Sequence, residues 1–136
     1  MHFFQIDNSC FARRIMLYYE LLLFYCLLEA DTDMKVEMHT HTSETSPCAH
    51  ICAQDVIKMY KEAGYDTVVI TDHYSKWVFE KNGAKTPDEV TSHFLKGYKT
   101  ALGCAETYDI NVLLGCEVTL TESPNDYLLY GVNEEF

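Results

Sequence analysis

From Lys35 onward, short apolar runs alternate along the chain with longer stretches in which apolar positions recur three and four apart. Residues 36–38 read as a short strand and residues 40–47 as a polar, turn-rich loop carrying hydroxyls and Glu44. Val56, Ile57, Tyr60 and Ala63 then follow helical spacing, and Gly64 stands where a left-handed helix stop is expected. Residues 67–71, β-branched and too short a run for a helix, predict a buried strand. A loop is expected over 74–85, where Tyr74, Trp77 and Phe79 are interleaved with Lys76, Lys81 and Lys85. Thr86, Pro87 and Glu89 supply an N-cap, a proline at the first helical position and a capping-box carboxylate, so a long helix should run to about Tyr108. Residues 111–118 predict a third strand and 126–131 a fourth. The order strand, helix, strand, helix, strand, strand implies an α/β fold of parallel strands with crossover helices. In such sheets and barrels the chemistry gathers at the carboxyl ends of the strands.

Residues 1–33 break this pattern and read as an N-terminal extension to a domain of residues 34–136. Arg13 and Arg14 precede an apolar stretch over 15–28 that is interrupted by Glu20 and followed by the acidic run Glu29, Ala30, Asp31, Thr32, Asp33. The stretch falls short of the roughly 18–20 apolar residues of a membrane span, and Glu20 in its middle would be costly there. As a signal peptide it lacks a convincing small-residue cleavage site. It reads otherwise as an additional apolar helix, or as a start assigned too early, with Met34 opening the domain.

Candidate chemistry collects at the expected strand ends. His39 and His41 lie two apart behind an apolar run, and at the side-chain period of a strand both imidazoles point to the same side, as a bidentate metal clamp would. His73 ends the run 67–71, and Glu117 ends the third strand. Four of the six histidines (His39, His41, His50, His73) fall between residues 39 and 73, and imidazole is the commonest metal-binding side chain. Asp72, beside His73, either takes the spare N–H of a ligating imidazole or caps a strand-end turn. Lys76 either meets a substrate phosphate or is an exposed loop lysine. His93, within the long helix, reads as a solvated helix residue.

Composition narrows the function classes. At 136 residues the chain is one domain at most, large enough to bury a core. Hydrophobic residues at 48% and charged residues at 23% describe a globular chain. The net charge of −11 argues against general nucleic-acid affinity, because a phosphate backbone is held by clustered Lys and Arg; it suits a site that gathers cations. No membrane partner is expected. Six cysteines at positions 10, 26, 48, 52, 104 and 116 read as reduced thiols of a cytoplasmic protein, not as a disulfide framework. Cys48 and Cys52 are the closest pair, but no second Cys or His pair at zinc-finger spacing follows them.

The strings His39-Thr40-His41-Thr42-Ser43, Ile70-Thr71-Asp72-His73 and Gly115-Cys116-Glu117 resemble, in order and spacing, the first three motifs of the PHP domain, the family named for polymerases and histidinol phosphatase. The resemblance covers residues 34–136. It implies the front portion of a distorted (β/α)7 TIM-like barrel, two or three divalent metals (zinc, manganese or iron) and hydrolysis of phosphate esters. By motif, His39, His41 and His73 correspond to metal ligands, Glu117 to a carboxylate bridging two metals, and His50 to an additional first-loop ligand. Asp126 stands where many members place a further histidine. Members continue with more strands, another histidine and a late Asp-x-His pair, so a chain ending at Phe136 would leave an apolar face and a strand edge uncovered, and a homodimer is one expected remedy.

These residue types suit the chemistry. A phosphate ester repels nucleophiles with its own charge, and clustered cations neutralise it while acidifying water. The expected function is therefore metal-dependent phosphoesterase or phosphatase activity on a small phosphorylated substrate. Two alternatives remain: an amidohydrolase-type metal hydrolase, because a strand-one His-x-His also opens those barrels, and a truncated, non-catalytic metal-binding domain. The substrate is not readable, because barrel specificity resides in the loops after the strands.

Overall fold

The structure is a computed structural model that describes residues 33–123 and 125–134. The expected N-terminal helix lies outside the described residues. From Val36 the elements are β1 (Val36–Thr40), α1 (Ala53–Glu62), β2 (Thr67–Ile70), β3 (His73–Tyr74), α2 (Lys76–Lys81), α3 (Pro87–Tyr108), β4 (Asn111–Thr119) and β5 (Asp126–Tyr130).

The strands form one α/β sheet. β1 pairs in parallel with β2, and β2 with β4. β3 continues the line of β2 along the same edge of β4, pairing His73 with Glu117 and Tyr74 with Val118. β5 returns antiparallel along the other edge of β4. Three parallel strands in chain order open a (β/α) barrel and an open sheet alike, and the expected βαβ pattern is present in either case.

The helices are where their signals put them, with two differences. Gly64 ends α1 with φ of 77°, the left-handed stop anticipated from sequence. Thr86 caps α3: its hydroxyl accepts from the Glu89 amide while the Glu89 carboxylate accepts from the Thr86 amide. The expected loop over 74–85 instead holds β3 and the short helix α2. Ser75 caps α2 by accepting from the Val78 amide, and Val78 and Phe79 are buried while Trp77 faces outward. Six residues are too few to show a helical period against interleaved lysines, so the element was not evident in the sequence. The second difference is His93, which is not a merely solvated residue: it is half-buried, with Nε2 within hydrogen-bond reach of the Thr45 carbonyl and the Asn82 side chain.

Two apolar clusters sit between helices and sheet. One joins Ala53 and Ile57 of α1 to Val68, Ile70 and Val112 of the strands. The other joins Val78 and Phe79 of α2 to Phe94, Leu95, Leu114 and Cys116. Tyr98 of α3 packs against both. Side chains alternate along a strand, so Val112, Leu114 and Cys116 enter the helical side of β4, and Glu117 belongs to the opposite row with Leu113 and Gly115. The candidate chemistry is thus carried on the face away from the helices, at the carboxyl ends of the parallel strands.

Candidate metal centre

Three backbone features aim the ligand side chains. The β1–β2 register shifts between Glu37 and Thr40, a bulge beside His39, and bulges re-aim side chains next to sites. The His39 amide there donates to the Glu37 carboxylate at 3.0 Å. The end of β1 is fastened to the residue after β2: the Thr71 amide donates to the Thr40 carbonyl at 2.8 Å, and the Thr40 amide to the Thr71 hydroxyl at 3.0 Å. The third feature is the pairing of His73 directly with Glu117.

The result is a convergence of three imidazoles on one carboxylate oxygen. His39 Nε2 and His41 Nε2 lie 2.8 Å apart. Glu117 Oε2 is 3.6 Å from His39 Nε2, 3.2 Å from His41 Nε2 and 3.1 Å from His73 Nδ1. Around a tetrahedral cation with bonds of roughly 2.0–2.1 Å, ligand atoms stand about 3.3 Å apart. The triangle formed by His39, His41 and Glu117 has edges of that size, so this donor set fits a divalent ion. His41, Cys48 and His73 make a second group whose ligand atoms lie within 4.8 Å of one another.

Behind His41 lies a buried polar hub centred on Asp72, which is 1% exposed. Its Oδ1 accepts from the Thr42 amide at 2.7 Å and from the Ser46 hydroxyl at 2.6 Å, and its Oδ2 accepts from the Thr42 hydroxyl at 2.6 Å. The Ser46 oxygen also accepts from the His73 amide at 3.0 Å and lies 3.2 Å from His41 Nδ1. A serine hydroxyl has one proton. With that proton given to the carboxylate, Ser46 accepts from His41 Nδ1–H, which leaves the His41 Nε2 lone pair directed at the cluster. Outer partners of this kind fix a ligand's tautomer and orientation. Burial pushes the Asp72 carboxyl above its ordinary range, opposed by the hydrogen bonds from Ser46 and Thr42. Burial likewise holds the His41 imidazole below its ordinary pKa; nearby His73 adds to that and Glu117 opposes it. Both the tautomer and the depressed basicity favour a neutral, ligand-competent His41.

Other sequence candidates lie further out. His50 is exposed on the wall of an open cavity of about 570 Å³ that His39, His41 and Cys48 share with Val56, Met59 and Tyr60. It joins no metal-competent group among the described residues. Asp126 opens β5, opposite Thr119, whose hydroxyl donates to it at 2.6 Å; its charge reaches His41, favouring the protonated form. Lys76 begins α2 and pairs with Glu80 at 3.6 Å, with its side chain 72% exposed. A larger cavity, about 930 Å³, opens at the other end of the strands beside Val36, Thr67 and Asn111, away from the histidines.

Two residues escaped the sequence reading. Ser46, in the hydroxyl-rich loop, gave no individual signal. Gly97 did: a glycine inside a strong helical pattern marks a close approach. A Cβ at Gly97 would collide with Thr42 Oγ1 and stand 2.5 Å from Asp72 Oδ2, so this glycine lets α3 press directly against the hub.

A sheet that gathers imidazoles and a carboxylate at its strand ends defines an α/β protein with a candidate divalent-metal centre. The family model described as the PHP domain matches residues 37–135, and the chain belongs to the PHP domain family, which includes metal-dependent hydrolases. No curated protein matches the chain. No helix among the described residues is long and apolar enough to cross a membrane.

Proposed function

We propose that the protein is a metal-dependent phosphoesterase acting on a small phosphorylated substrate, with His39, His41, His73 and Glu117 as the ligands of its divalent ions. The observation that supports this most is the meeting of three imidazole nitrogens within 3.1–3.6 Å of Glu117 Oε2. A divalent ion bound there supplies positive charge to a phosphoryl group and acidifies water. The chain's own contribution is position and protonation state. Ser46 holds a proton on His41 Nδ1 and leaves Nε2 unprotonated, Asp72 orients Ser46, and the pairing of β3 with β4 keeps His73 against Glu117. The apolar side of the cavity, at Val56, Met59 and Tyr60, offers a surface for the organic part of an ester.

The test is a screen of the purified chain, supplied separately with manganese, zinc and iron(II), for phosphate release from a panel of phosphomonoesters and phosphodiesters. Metal-dependent release that disappears in His41→Ala and in Glu117→Gln is the expected result. Release of ammonia or ring opening on a parallel panel of amines and cyclic amides, in place of phosphate release, would assign the centre to C–N hydrolysis. Tight metal binding with no turnover on either panel would make it a binding site without catalysis.

A further inference from the structure

We propose that Cys48 supplies a thiolate ligand to this centre, creating beside His41 and His73 a sulfur-bearing position that selects zinc or iron over magnesium and manganese. The inference rests on the metal centre proposed above and adds to it a ligand that the motif comparison did not include. The first loop delivers Cys48 by a defined route. The Thr45 and Ser46 amides donate to the Thr42 carbonyl, and the Ala49 amide donates to the Ser46 carbonyl at 3.0 Å. Ser46 is itself anchored on Asp72 and beneath His41. Cys48 lies two residues beyond that anchor, inside the last of these turns, and its sulfur comes within 4.8 Å of ring nitrogens of both His41 and His73. His50, the first-loop residue singled out by motif, stands exposed beyond it and outside either group.

The neighbouring thiol behaves differently. Cys52 is the N-cap residue of α1, and its sulfhydryl donates to Asp55 at 3.3 Å. It joins no metal-competent group among the described residues. Cys48 and Cys52 are therefore not two halves of one structural zinc site; only Cys48 faces the histidines. One imidazole nitrogen serves one cation at a time, so His41 Nε2 belongs to the position shared with His39 and Glu117. Cys48 and His73 then mark an adjoining position next to that ring. Thiolate is a soft ligand suited to zinc and iron, whereas magnesium and manganese prefer oxygen.

Cobalt(II) gives a readout independent of turnover, because a thiolate ligand produces a sulfur-to-cobalt charge-transfer band in the near ultraviolet and nitrogen or oxygen ligands do not. The full chain loaded with cobalt(II) should show this band, Cys52→Ser should retain it, and Cys48→Ser should lose it. Loss of a direct ligand should weaken zinc binding at that position by no less than the roughly 10–100-fold that loss of an outer partner costs. Cys48 is exposed, so Cys48→Ser should keep its circular dichroism. Cys48→His serves as a second variant, expected to restore the bound ion without the band. Cobalt bound with no sulfur band, or a band that survives in Cys48→Ser, would overturn the proposal while leaving the histidine and glutamate centre standing. No cobalt bound at all would overturn both.

Discussion

His39 and His41 are two residues apart and meet at one point, yet they are held by different means. His41 leans on a buried hub: Ser46 behind its Nδ1, Asp72 behind Ser46, Thr42 around Asp72 and Gly97 of α3 pressed against the whole. The His39 side chain is 44% exposed, with its backbone amide tied to Glu37 and its ring in contact with His41 and Glu117. The inner wall of the centre is therefore part of the core, and the outer wall is carried on the end of a strand. Substitutions in the inner wall should change folding and metal binding together. Those in the outer wall should change metal binding alone.

The sharpest break should come from Asp72→Ala. It strands three buried donors, the amide and hydroxyl of Thr42 and the hydroxyl of Ser46, each costing about 1–3 kcal/mol when unpaired. A loss of about 3 kcal/mol or more in metal-free stability is expected, read by urea denaturation. A loss below about 1 kcal/mol would mean that water replaces the carboxylate and that the hub is not what holds the wall. Gly97→Ala should come next, at roughly 1–3 kcal/mol for overpacking, because the new methyl can be placed only by moving α3 away from Thr42 and Asp72. A thermal midpoint unchanged from the parent chain would show that the helix yields without cost.

The same division decides what the sequence could reveal. The outer features follow short-range rules: His-x-His on a strand, the capping box at Thr86, the glycine stop at Gly64. Each was readable because its residues are neighbours in the chain. Glu117 and His73 were read as strand ends, whereas Glu117 lies two residues inside the end of β4 and His73 opens β3; their direct pairing depends on register across 44 residues, which pattern alone does not fix. The hub was not readable in this way. Ser46 becomes special only because Asp72, His41 and the His73 amide close on it from separate segments. Asp72 was read either as taking the spare N–H of a ligating imidazole or as capping a turn; its carboxylate instead reaches His41 through Ser46 and turns to Thr42, a choice set by how the first loop folds back. Helix α2 was hidden for a different reason, being shorter than two helical turns.

Ser46→Ala and His39→Ala separate the walls most cleanly at smaller effect. Removing the Ser46 hydroxyl takes away its hydrogen bond to Asp72, the acceptor of the His73 amide and the partner of His41 Nδ1, so about 1–2 kcal/mol of stability and roughly 10–100-fold in metal affinity should be lost together. His39→Ala should leave metal-free stability within about 0.5 kcal/mol, as exposed substitutions do, while lowering metal bound per chain. Isothermal titration with zinc, alongside denaturation of the metal-free protein, tests both. A His39→Ala variant that loses stability as much as Ser46→Ala would erase the distinction between the walls.

The smallest effect tests the inner wall through its protons. His41 is held below the ordinary histidine pKa of 6.5, first by burial and then by His73, with a lesser contribution from His39. A histidine whose pKa is lower in the folded state binds fewer protons there than in the unfolded chain, so stability must fall as acid is added. Its contribution is fully present above pH 6.5 and is lost as the pH drops through the folded-state value. Metal-free protein should therefore hold its melting temperature above about pH 6.5 and melt progressively lower as the pH falls from there toward about pH 5. His41→Gln, which has no such proton to exclude, should flatten that slope. His73→Ala should flatten it partly, and His39→Ala less, following the order in which the two rings act on His41. If His39→Ala flattened the slope more than His73→Ala, the outer wall would be controlling the charge of the inner one, contrary to the arrangement of the hub.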